Sequence, residues 1–200
     1  MKNFQAFLRR KNIVFSARRY GIDALGAMAQ GLFCSLLIGT IIRTLGQQLG
    51  VAYLVDIGKY AMAVSGPAMA VAIGYALKAD PMVLFSLAAV GWAANAEGGA
   101  GGPLAVLIIA IIAAEFGKAV SKETKVDILV TPAVTIVVGV ALAKFIAPPI
   151  GTAAGAFGLV IDQATKLQPF WMGIAVSVLV GIALTLPISS AAICQVLGLT

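Results

Sequence analysis

Seven stretches of the chain hold no Asp, Glu, Lys or Arg: 24–42, 60–77, 81–96, 98–114, 128–143, 145–161 and 167–200. A membrane-spanning helix needs about 20 mostly apolar residues, with a range of about 17–25. Two of the stretches come close to 20, the next four lie at or just under the lower bound, and the last is too long for one crossing. Inside them the apolar residues run on without alternating, as in Ile108–Ala114 and Ile136–Ala143. Strands of a membrane barrel would alternate with a period of two. Backbone polar groups in lipid must be satisfied within the segment, which leaves helices. The pattern therefore predicts an all-α, polytopic transmembrane helical bundle with about six membrane segments and broken or re-entrant helices.

Turn signals divide it further. A first helix is expected from Gly21 to Leu45, with Gly46–Gly50 as a turn. A second apolar region covers Val51–Leu77, with Asp56 and Lys59 three apart on one face and able to pair. Pro67 should kink it. Asp80 and Pro81 suit the cap and first position of the next helix. That helix, Pro81 to about Asn95, would be roughly 22 Å long, short for a hydrocarbon core of about 30 Å. Pro103 starts another through Lys118. Residues 121–127 form a polar loop in which Thr124 and Asp127 resemble a capping box. A helix follows from Lys125 to about Ile146, closed by Pro148 and Pro149. After the small-residue stretch Gly151–Gly158, Pro169 opens a last helix, with a break at Pro187.

Composition narrows the class. Hydrophobic residues make up 60% of the chain, with 22 Gly besides, and only 11% is charged. A soluble domain has about 25% charged residues. A soluble globular domain, a disordered chain and a nucleic-acid binder are excluded. The net charge of +6 is concentrated: Lys2, Arg9, Arg10, Lys11, Arg18 and Arg19 occupy the first 19 residues without an acid among them. We read residues 1–20 as a basic cytoplasmic N-terminal segment and 21–200 as the transmembrane domain. The 24–42 run exceeds the core of a removable signal, about 7–15 residues. Residues 3–19 either lie on the membrane surface as an amphipathic helix or form a basic tail that only sets topology. With the N-terminus inside, Lys78, Lys118, Lys122 and Lys125 fall on the same side, against Arg43, Lys59, Lys144 and Lys166 elsewhere, which favours that orientation.

Little of the chain offers catalysis. It contains no His, and no phosphate-binding loop, zinc motif or nucleophile elbow occurs. No cofactor, metal site or catalytic residue is expected. Cys34 and Cys194 read as small core residues. The best candidates for binding a solute are Asn95 and Glu97, because ionisable residues at membrane depth are costly and discontinuous helices with Gly breaks expose backbone groups. Gly98 and Gly99, within Gly98–Gly102, would add backbone contacts. The competing reading is a loop outside the membrane. Ser189 and Ser190, after Pro187, either satisfy carbonyls freed by the kink or face a ligand. Glu115 and Lys118 read as an interfacial pair, Asp127 as a helix-start cap, Asp162 as a loop or interface residue, and Asp23 as an interfacial partner of Arg18 or Arg19.

Several strings carry a resemblance: residues 122–132 (KETKVDILVTP), 148–151 (PPIG), 167–173 (LQPFWMG) and 184–192 (LTLPISSAA). They resemble the membrane-embedded enzyme IIC-like proteins of the bacterial sugar phosphotransferase system, and within them the branch described as toxin regulators of the perfringolysin-regulator type. The resemblance implies a multi-helix fold with re-entrant hairpins, a homodimer, and a domain that continues past this C-terminus in relatives. It implies a permease-like component in the bacterial inner membrane that binds and translocates a sugar or other small polar solute. Separate IIA and IIB phosphocarriers would handle the phosphoryl group. The alternative is a membrane-embedded regulator or sensor without transport, in which the basic N-terminal face contacts a cytoplasmic partner or anionic lipid.

Overall fold

A computed structural model describes residues 2–165 and, beyond them, 173, 174, 177, 178 and 181. The predicted last helix from Pro169, its break at Pro187, and Ser189, Ser190 and Cys194 lie outside the described residues or largely so.

Among the described residues all regular secondary structure is helical. The order is α1 (Lys2–Arg10), α2 (Ala24–Leu32), α3 (Ile38–Leu49), α4 (Ala52–Ala63), α5 (Ser65–Ala76), α6 (Pro81–Gly98), α7 (Gly102–Val120) and α8 (Asp127–Thr165). π-helical turns at Arg19–Asp23 and Phe33–Leu37 join α2 and α3 into one continuous stretch, Arg19–Leu49. The expected turn at Gly46–Gly50 shrinks to its last residue. Gly50 takes the left-handed conformation (φ 67°) that caps a helix, while Gly46 stays helical against Val55.

Three described stretches are long and apolar enough to cross a membrane: Arg19–Leu49, Pro81–Val120 and Asp127–Ala156. The second is a hairpin. Asp80 and Ser121, at the free ends of its two arms, are hydrogen-bonded 2.9 Å apart, so α6 and α7 run antiparallel. At about 1.5 Å per residue the arms are roughly 27 and 28 Å long, close to one hydrocarbon thickness. The expected 15-residue α6 is thus a full-length arm, because Ala and Asn95–Gly98 continue the helix to the reversal.

Prolines sit where their missing N–H does least harm. Pro67 lies in the first turn of α5, and the chain breaks before it, at Val64. Pro81 and Pro103 occupy the first turns of α6 and α7. Pro148 and Pro149 do not end α8, contrary to the expectation from sequence. The helix passes through both to Thr165. Thr152 donates to the Pro149 carbonyl at 2.9 Å, a local bond one turn beyond the carbonyls that the two prolines leave without donors.

Small residues let these helices approach. A Cβ on Gly66 or Gly91 would strike the other's carbonyl oxygen, fixing α5 against α6. A Cβ on Gly151 would lie 2.5 Å from the Gly98 oxygen, fixing the hairpin tip against α8. The core is a run of Ala and medium aliphatics: Ala70, Ile73, Leu87, Val90, Ile109 and Ala113 are fully buried. Large apolar side chains instead face outward, among them Phe33, Tyr60, Phe85, Trp92, Val137 and Phe145. Small inside and large outside is the inverse of a soluble bundle and suits a lipid solvent. Cys34, expected in the core, is exposed on that outer surface.

Candidate functional site

The reversal between α6 and α7 gathers Asn95, Glu97, Gly98 and Gly99. Gly99 has φ 47° and ψ −120°, a conformation open to glycine and closed to residues with a Cβ, and it turns the chain sharply. Gly98 is buried, its carbonyl against Gly151 of α8. Gly99 is exposed. Asn95 is half-buried, with its amide oxygen packed beside Gly102, across the turn.

Glu97 has a partner that the sequence alone did not single out. Its Oε1 lies 2.8 Å from the Lys144 ammonium on α8, and the two side chains are 36% and 65% exposed. The pairing follows from register. α6 and α8 run parallel, Val90 packing near Gly139 and Gly98 near Ala147 and Gly151, so Glu97 and Lys144 reach the same level.

Lys144 has a second distinction. Pro148 has no N–H, so it cannot donate to the Lys144 carbonyl four residues back, and Pro149 likewise leaves the Phe145 carbonyl without its helical donor. Two adjacent free carbonyls therefore stand at the level of the ion pair. A carboxylate, an ammonium, an amide and free backbone oxygens together can accept and donate hydrogen bonds to a polyhydroxylated or zwitterionic solute. This is the chemistry that an interrupted membrane helix typically offers. Ser189 and Ser190 lie outside the described residues.

The opposite end of the bundle is held by charge. Asp80 occupies the cap position of α6, but its carboxylate makes no cap bond to that helix. It accepts from Ser121 Oγ at 2.9 Å and from Lys122 Nζ at 2.6 Å, tying the start of α6 to the loop after α7. Those bonds, Lys122 foremost, hold the Asp80 carboxyl below its ordinary range, and Asp80 in turn raises Lys122. Glu123 bridges Lys11 and Arg10 of the N-terminal segment, at 2.5 and 2.6 Å. The Lys11 hydrogen bond leads the causes that hold Glu123 low as well. The Lys11 ammonium also donates to the Ser121 carbonyl.

The Glu115–Lys118 pair forms as expected, at 2.8 Å, but it is buried rather than interfacial: the side chains are 11% and 2% exposed. Lys118 also donates to the carbonyls of Asn12 and Leu77, at 2.9 and 3.2 Å, and Tyr20 donates to Glu115 at 3.1 Å. Arg19 turns to Asn12 and to the Leu77 carbonyl rather than to Asp23, which is exposed. The predicted capping box is replaced by a different closure: Asp127 accepts from the Lys122 backbone at 2.7 Å and from Thr131 at 2.5 Å. The Asp56–Lys59 pair forms at 2.9 Å. Among the described residues, no cluster of His, Cys, Asp and Glu is arranged to hold a metal.

Apolar helices of membrane length, large side chains turned outward and charge gathered at the bundle ends define a multi-pass helical membrane protein. The family model described as "Phosphotransferase system, EIIC" matches residues 22–200, and the chain belongs to that family. It is accordingly a membrane permease-like component of a phosphotransferase system. No curated protein and no solved structure matches the chain.

Proposed function

We propose that the chain binds and translocates a sugar or similar small polar solute, using the α6–α7 reversal as its binding element. Asn95 and Glu97 would hydrogen-bond solute hydroxyls, the backbone of Gly98 and Gly99 would line the approach, and Ser189 and Ser190 would complete the site. Lys144 joins this set as the ion-pair partner that orients Glu97. The observation that carries the reading is the Glu97–Lys144 pair, set where α8 loses two consecutive backbone donors.

In this reading the protein works in the bacterial cytoplasmic membrane as a homodimer with its N-terminus inside. It relies on separate IIA and IIB phosphocarriers, since the chain has no His to carry a phosphoryl group. We place it in the toxin-regulator-like branch on the strings at 122–132 and 184–192. The test is equilibrium binding of a panel of labelled sugars to the purified protein in detergent. At least one should bind, and Glu97→Gln should weaken it roughly tenfold or more, the loss expected for a hydrogen bond to a charged group. Absence of binding across the panel, or binding that Glu97→Gln leaves unchanged, would overturn the proposal.

A second reading, a membrane regulator without transport, draws on the charged end. There the N-terminal segment is bonded to both the Leu77 turn and the 121–123 loop, an arrangement able to relay a contact made outside the membrane.

A further inference from the structure

The charged end holds a cavity of about 290 Å³ that plays no part in the solute site. Five cations line it: Arg10, Lys11, Lys78, Lys118 and Lys122. Two carboxylates, Asp80 and Glu123, do so as well, leaving an excess of three positive charges on the lining. Four of the cations are engaged, Arg10 and Lys11 by Glu123, Lys122 by Asp80 and Lys118 by Glu115. Lys78 is exposed, in left-handed backbone (φ 54°), and among the described residues it makes no salt bridge. Such a cavity attracts an anion.

A second cavity, of about 500 Å³, lies on the other side of the same N-terminal segment. Its walls are almost wholly apolar and include Phe7, Leu8, Ile13, Phe15, Ile112 and Phe116. Glu115 and Tyr20 also border it, but they bond to each other there. The two cavities share their divider. Residues 7–13 supply Phe7, Leu8 and Ile13 to the apolar side and Arg10, Lys11 and Asn12 to the polar side. The end of α7 does the same, with Phe116 and Ala119 on one side and Lys118 on the other.

A cationic cavity beside an apolar groove, at the end of a membrane bundle, matches the two halves of one molecule. We propose that this end is a binding site for an anionic phospholipid, its headgroup phosphate in the cationic cavity facing Lys78 and one acyl chain along the Phe7–Phe116 groove. Free phosphate would satisfy the first half alone and a zwitterionic lipid mainly the second. The proposal stands whether or not the chain transports a solute.

The test is thermal unfolding and native mass spectrometry of the purified full chain in detergent, titrated with long-chain phosphatidylglycerol, long-chain phosphatidylcholine, short-chain phosphatidylglycerol or inorganic phosphate. Long-chain phosphatidylglycerol should stabilise the protein and remain bound, and the other three should do so much less. Lys78→Gln should weaken the phosphatidylglycerol effect about fivefold, the contribution expected of one lysine near an anionic lipid. Among the described residues Lys78 makes no salt bridge, so this variant should fold as the parent does. Lys122→Gln supplies an independent second measurement. Equal effects of the two long-chain lipids, equal effects of phosphate and phosphatidylglycerol, or indifference of both variants would overturn the proposal.

Discussion

The Lys144 ammonium lies 2.8 Å from the Glu97 carboxylate, and the same lysine's carbonyl is the one that Pro148 leaves without a helical donor. Side chain and backbone thus present opposite polarities at one level of α8. Both groups of the pair are partly exposed, so the pair itself adds little to stability, about 0–1 kcal/mol. Glu97→Gln and Lys144→Gln should each shift the unfolding temperature by no more than a degree or two while sharply reducing solute binding. Unfolding followed by intrinsic fluorescence, beside the binding assay, checks the separation.

The Glu115–Lys118 pair should behave in the opposite way. Lys118→Met leaves a buried carboxylate whose remaining described hydrogen bond comes from Tyr20, and also removes the lysine's hydrogen bond to the Asn12 carbonyl and one of the two, beside that of Arg19, to the Leu77 carbonyl. Breaking a buried pair on one side costs about 3–5 kcal/mol. The double variant Glu115→Leu with Lys118→Met should recover part of that loss, because no buried charge is then left unpaired. Denaturation curves of the three proteins in one detergent give the comparison.

Packing makes its own prediction. Gly91→Ala would drive a methyl into the Gly66 carbonyl and force α5 from α6, an overpacking cost of about 1–3 kcal/mol. Gly26→Ala, on a helix with open space around the added methyl, should be neutral or slightly stabilising. Equal effects of the two substitutions would show that the α5–α6 contact does not control stability.

Acid should loosen the charged end. The carboxyls of Asp80 and Glu123 are held below their ordinary values, so their bonds contribute fully above the ordinary carboxylate range. That contribution declines as pH falls through this range and is gone below the lowered values, where folded and unfolded states are both protonated. Protease cleavage in the 121–126 loop should therefore accelerate as pH drops from about 6 towards 3. An Asp80→Asn, Glu123→Gln variant should be cleaved faster at pH 6 and respond less to acid.

The helical class was readable because lipid allows few solutions: charge-free runs have to be helices, and of the basic residues predicted to share a side, Arg10, Lys11, Lys78, Lys118 and Lys122 line one cavity. The Asp56–Lys59 and Glu115–Lys118 pairs were readable because a spacing of three fixes neighbours on a helix. Helix ends at prolines were not. Pro148 and Pro149 have the breaking chemistry expected of them, yet α8 passes through both, packed at that level against the Gly98–Gly101 turn. The burial of Lys118 was hidden as well, since its partners Asn12 and Leu77 are 106 and 41 residues away. Lys144 escaped notice as Glu97's partner for the same reason, although the matched positions of Gly98 and Gly151 would have set the register had their contact been known.

The most direct test of a solute-translocating permease is uptake of labelled sugars into liposomes containing the purified chain, with and without a phosphorylated IIB partner. The account predicts uptake of at least one sugar, increased by the phosphorylated partner and reduced at least tenfold by Glu97→Gln. Liposomes that hold correctly folded, inserted protein and take up no sugar under either condition would contradict it and leave the regulator as the better description.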